Sequence, residues 1–107
     1  MKARVLTAIL AAWSASAPAD ETARSGEAIY RDNCAHCHDQ GVLGAPRIGD
    51  RKAWKGRIAE GKRMQVRMAI KGIRKMPPRG GNPKLSDEEV ERAVVYLLNR
   101  SGAKFEE

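Results

Sequence analysis

The chain has 107 residues, with 20 Lys and Arg against 13 Asp and Glu and an aromatic content of only 5%. That length allows one domain at most, and so few large side chains leave a small globule short of core, the situation in which a staple or cofactor is generally needed. A net charge of +7 is common for a soluble protein and by itself names no partner, and no nucleic-acid partner is expected.

The first 19 residues read as a secretory signal peptide. Lys2 and Arg4 form a positive start, residues 5–13 are apolar apart from Thr7, and Ala17-Pro18-Ala19 fits a small-x-small cleavage site before Asp20. Cleavage after Ala17 fits the pattern too, but would leave Pro18 just beyond the cut. An uncleaved anchor is disfavoured, because about nine apolar residues cannot cross a hydrocarbon core of ~30 Å. The expectation is an exported, periplasmic protein with one domain over residues 20–107 and no stable membrane insertion. After cleavage the 88 remaining residues carry 18 basic and 13 acidic side chains, a net of +5.

Ser25 can cap a short helix, with Glu27 well placed in its first turn. The helix runs into Cys34-Ala35-His36-Cys37-His38, which holds both cysteines of the chain. Thiols three residues apart share a helical face, so both sulfurs can meet one porphyrin edge while His38 is held under the iron. This is the attachment pattern of a c-type haem. Three other readings of Cys-x-x-Cys are weaker. A zinc site needs more ligands, and beyond His36 and His38 the chain has no further Cys or His. A thioredoxin-like dithiol needs a βαβ frame. A bare disulfide would leave His38 unexplained. His36, between the thiols, reads as an edge- or solvent-facing residue.

Gly41, Gly44 and Ala45-Pro46-Arg47-Ile48-Gly49 mark a loop. Asp50 reads as the N-cap of a second helix ending before Gly61, with Trp54 and Ile58 as its inward stripe. A third helix is expected over about residues 63–71, stopped by Gly72, with Met64, Val66, Met68 and Ile70 as its apolar positions. Residues 75–83, with three prolines and two glycines, exclude helix and central strand. Ser86-Asp87-Glu88-Glu89 is a capping box, and Val90, Ala93, Val94, Leu97 and Leu98 then recur at helical spacing to about Arg100. No strand pattern appears. The fold class is all-α, four or so short helices around one prosthetic group.

A second axial ligand has three methionine candidates. Met64 and Met68 lie on an amphipathic helix, where methionine usually fills core. Met76 sits in a segment braced by Pro77 and Pro78, where restricted backbone lowers the entropy lost on fixing a loop; the competing reading is a loop methionine packed on the haem edge. The run from Cys34 onward resembles class I c-type cytochromes, and within them the bacterial cytochrome c5 group. The residues that carry the likeness are the haem motif, Gly44-Ala45-Pro46 with Gly49-Asp50 and Ala53-Trp54, Met76-Pro77-Pro78-Arg79-Gly80-Gly81, and Leu85-Ser86-Asp87-Glu88-Glu89. The resemblance implies Cys34 and Cys37 as thioether attachments and His38 and Met76 as axial ligands. It also implies a Pro46 carbonyl that accepts from His38 Nδ1, and first and last helices that cross with Tyr30 and Tyr96 or Leu97 at or near the contact. The group often carries a second cysteine pair near the position of Gly81; here Asn82 stands there, and an extra disulfide is impossible.

The function implied is a mono-haem electron carrier, monomeric and not an enzyme, that exchanges single electrons with a donor and an acceptor protein. Its basic balance favours acidic docking patches on those partners, with Arg47, Lys75 and Arg79 as the nearest candidate contacts. The rival reading is a haem subunit held permanently in a larger dehydrogenase or oxidase, or a ligand sensor.

Overall fold

The computed structural model describes Arg4 and residues 23–107; apart from Arg4, the expected signal peptide and its cleavage site lie outside these residues. Five α-helices follow in order: α1 (Gly26–Asn33), α2 (Ala35–His38), α3 (Arg51–Ala59), α4 (Lys62–Lys71) and α5 (Asp87–Arg100), with 3₁₀ turns at Val42–Gly44 and Pro78–Gly81. Among the described residues there is no strand, only a single antiparallel bridge between Ile73 and Met76. The all-α class stands, with one helix more than the four or so expected. The extra helix arises at Cys34, where φ opens to −117°. Cys34 closes α1 through a 2.8 Å bond from its amide to the Tyr30 carbonyl, and Ala35 begins a new turn.

Local chemistry sets the helix starts. Ser25 Oγ accepts from the Ala28 amide at 3.1 Å and Asp50 Oδ1 from the Ala53 amide at 3.1 Å. At α5 the box is reciprocal: Glu89 N donates to Ser86 Oγ at 3.1 Å and Ser86 N to Glu89 Oε1 at 3.0 Å. Leu85 and Val90 flank that box and are both buried in the core, the positions of a hydrophobic staple that fixes the entry of the chain into α5.

α5 is the central element, packed against α1 on one side and α4 on another. Ile29 and Tyr30 of α1 meet Val90, Ala93, Leu97 and Leu98 of α5 in one core cluster, and the Tyr30 and Tyr96 rings lie 5.5 Å apart, centroid to centroid. The two helices touch closely at Gly26, where an added Cβ would lie 2.2 Å from the Arg92 carbonyl oxygen. Backbone cannot yield there without separating the helices. Gly26→Ala is therefore expected to destabilise the fold by about 1–3 kcal/mol, the usual cost of overpacking, read as a lower midpoint in guanidinium unfolding with the visible spectrum of the native state unchanged.

α4 differs in detail from its sequence pattern. Its buried residues are Gln65 and Ala69, while Met64 is 38% exposed and so does not fill core. The polar Gln65 is tolerated inside because its Nε2 donates to Glu60 Oε1 at 3.0 Å.

Candidate functional site

A cavity of about 740 Å³ opens among the helices, within the range of small-molecule and cofactor sites. Cys34, Cys37 and His38 line it from the α1–α2 junction, and Met76 and Met68 line it from the α4 side. Trp54, Val94, Leu97 and Leu98 contribute apolar wall. The size and largely apolar lining of this space fit a porphyrin-sized group. No disulfide joins the two thiols. Burial pushes the Cys34 thiol up to about 11, opposite to the depressed value that activates dithiol-exchange cysteines. Two thiols on one wall of a largely apolar cavity fit a porphyrin bearing two reactive vinyl groups.

His38 is buried, and its Nδ1 donates to the Pro46 carbonyl at 2.7 Å. A carbonyl only accepts, so this bond assigns the proton to Nδ1 and leaves the Nε2 lone pair available to a metal. Burial lowers the tendency of the imidazole to take a second proton, partly opposed by the Pro46 bond. The ring is thus held neutral, the form that ligates.

The loop after α2 is pinned at four successive residues. Besides Pro46, the Arg47 carbonyl accepts from Trp54 Nε1 at 2.8 Å, and the Ile48 amide donates to the His38 carbonyl at 2.7 Å. The Gly49 amide then donates to Ser101 Oγ at 3.0 Å. Ser101 is only 1% exposed and in turn donates to the Leu97 carbonyl at 2.8 Å. The sequence placed Trp54 on the apolar stripe and among the family-like residues without a partner for its indole, and carried no sign of Ser101; a small polar residue after a helix gives no hint of a partner 52 positions away. Ser101→Ala leaves the Gly49 amide without its acceptor, and is expected to cost roughly 0.5–1.5 kcal/mol, measured as reduced unfolding free energy.

Met76 is half-buried and is fixed through its backbone. Its amide donates to the Ile73 carbonyl at 2.8 Å, and its carbonyl accepts from the Ile73 amide at 3.0 Å. The tight return is possible because of Gly72, which has φ +85° and whose added Cβ would lie 2.8 Å from Pro78 N and 2.9 Å from the Met76 oxygen. Met68 faces the same cavity from the rigid body of α4, so geometry brings two thioethers to it. Met64 is not among the lining residues.

The charge is unevenly placed. Residues 51–75 contain ten Lys and Arg and a single acidic residue, Glu60. Arg74 and Lys75 line the cavity beside Ile73, which is 40% exposed, and the exposed Val42 and Leu43 line the same cavity. Arg79, in contrast, is committed: it bonds the Leu85 carbonyl at 2.9 Å and pairs with Asp87 at 2.6 Å. Its charge braces the loop against α5.

A family profile described as cytochrome c oxidase, cbb3-type, subunit III, matches residues 21–97. Cytochrome c-555 of Chlorobaculum thiosulfatiphilum is 45% identical over 83 residues, covering 74% of this chain and 96% of that protein. Cytochrome c5 of Ectopseudomonas mendocina is 42% identical over 84 residues, covering 77% and 97%. A chain from a crystal structure of an electron transfer complex of nitrite reductase with cytochrome c superposes with a TM-score of 0.69 at 37% identity, covering 71% of this chain and 93% of that one. Profile, relatives and architecture agree: the chain belongs to the c-type cytochromes, proteins that carry covalently attached haem c.

Proposed function

We propose that this protein is a periplasmic mono-haem electron carrier with His38 and Met76 as axial ligands and Cys34 and Cys37 as thioether attachments. The observation that carries the reading is that Cys34, Cys37, His38 and Met76 all line one largely apolar cavity. Bound haem supplies a one-electron couple at its iron. The chain's own part is to keep that couple reversible. The Pro46 carbonyl fixes the His38 ring and raises its donor strength. The Ile73–Met76 pairing and the flanking prolines limit how far the Met76 side chain travels between oxidation states. Apolar wall excludes water and, with a thioether ligand, raises the potential.

The nitrite reductase complex of the structural relative supports a redox enzyme as one partner. Arg74 and Lys75 beside an apolar cavity mouth support a partner with acidic groups around an apolar contact. A second reading, a subunit held within an oxidase, draws on the description of the matching profile. The near-complete coverage of small cytochromes c-555 and c5 favours the free carrier. Among the described residues no helix is long and apolar enough to cross a membrane.

Intact-mass analysis of protein exported to the periplasm tests the attachment. The expected species begins at Asp20 and carries one haem that survives acid–organic extraction. Haem lost on extraction sinks the proposal. Cys37→Ala should leave at most one thioether and lower the yield of mature protein.

A further inference from the structure

The loop that follows Met76 reaches the segment carrying the cysteines through one pair of side chains. Asn82 Nδ2 donates to Asn33 Oδ1 at 2.9 Å, joining residues 49 apart, and Asn33 immediately precedes Cys34. Among the described residues this is the one hydrogen bond between residues 77–84 and α1. Its polarity is fixed at both ends. Asn33 Nδ2 is taken by the Ile29 carbonyl at 2.9 Å, so Asn33 Oδ1 has to accept. Asn82 Oδ1 accepts from the Lys84 amide at 3.0 Å, so Asn82 Nδ2 has to donate. Asn33 is buried at 8% exposure, where water is a poor substitute for a lost donor. The Asn82 backbone is engaged as well, donating to the Arg79 carbonyl and accepting from the Leu85 amide, both at 3.2 Å.

We infer that Asn33 and Asn82 form an amide clasp that holds the Met76 loop closed over the Cys34 end of the cavity, with Asn82 a positioning residue for the sixth axial ligand. Arg79 anchors the same loop to α5, so an opening that frees Met76 has to break the clasp on the α1 side. The inference rests on Met76 being that ligand. It makes a statement about rate: the clasp sets how often the loop opens, and so how fast an outside ligand displaces Met76 from the oxidised protein.

The test uses the haem-loaded full protein, with cyanide as probe. Asn82→Ala, and the near-isosteric Asn82→Asp, which presents an acceptor to an acceptor, are expected to raise the rate of cyanide binding roughly tenfold, the factor that follows when a buried acceptor loses its donor. Hydrogen exchange at the Leu85 amide should speed up in parallel, a readout that needs no redox partner. Asn33→Ala approaches the bond from the other side, and its effect should not add to that of Asn82→Ala. Cyanide rates within twofold of the unmodified protein in both Asn82 variants, or full additivity of the pair, overturn the clasp. A Met76→Ala protein that keeps its sulfur-to-iron band instead overturns the ligand assignment, so the two failures are distinguishable.

Discussion

Replacing Met76 by alanine should abolish the weak far-red sulfur-to-iron charge-transfer band of the oxidised protein and lower its potential. The drop should be on the order of 0.1–0.2 V, part of the ~0.8 V range over which axial ligands set haem potentials. It should also admit carbon monoxide to the reduced form, because the thioether that occupied the sixth position is gone. Met68 is the necessary control, since it lines the same cavity. The two methionines differ in what holds them. Met68 belongs to α4 and its backbone position is fixed by the helix, so its side chain is free to serve as filler. Met76 sits on an irregular turn whose geometry requires a glycine at position 72 with φ +85° and two backbone bonds to Ile73. Such a turn makes sense if one side chain has to be presented at a defined place. Met68→Leu conserves volume and should cost less than about 1.5 kcal/mol with the band intact. Loss of the band in Met68→Leu and its survival in Met76→Ala would reverse the assignment.

The parts of this molecule that were legible in its sequence are those fixed by short-range chemistry. Ser25, Asp50 and Ser86 cap helices because a side-chain oxygen reaches an amide three residues on. The thiols and His38 share a turn because their spacing leaves little choice. What could not be read depends on which distant surfaces meet. Arg79 looks like a free charge in a loop, and only the fold shows Asp87 against it. Met64 looks like core because it stands one helical turn before Met68, yet α4 turns Gln65 and Ala69 inward, and the pairing of Gln65 with Glu60 makes that rotation tolerable. The break at Cys34 between α1 and α2 is a change in one backbone angle that residue type does not announce. Asn33 with Asn82 and Gly49 with Ser101 join positions about fifty residues apart. No local pattern marks such pairs.

The second large effect concerns encounter with an oxidant. Hexacyanoferrate, a small trivalent anion, should oxidise the reduced protein at a rate that falls steeply as salt rises. Residues 51–75 gather ten cations against one acidic side chain, and a charge concentrated in this way raises the local concentration of an anion by 10-fold or more at low ionic strength. At 0.15 M salt the screening length is about 8 Å, so only the cations next to the cavity mouth continue to act. Those are Arg57, which lies over the Trp54 ring, and the exposed Arg74 and Lys75; the exposed pair is the part a partner reaches first. Changing both to Gln should cut the low-salt rate by roughly 10-fold and flatten its salt dependence, with spectrum and potential almost unchanged. Arg79→Gln should behave differently. It removes a cation already neutralised by Asp87, so the salt dependence should stay, while the loss of its bond to the Leu85 carbonyl loosens the Met76 loop and speeds cyanide binding. If Arg79→Gln flattens the salt response and the Arg74/Lys75 pair does not, the approach runs over the α5 side of the loop. A rate indifferent to salt in the unmodified protein would assign docking to the apolar mouth formed by Val42, Leu43 and Ile73, with the positive charge serving solubility alone.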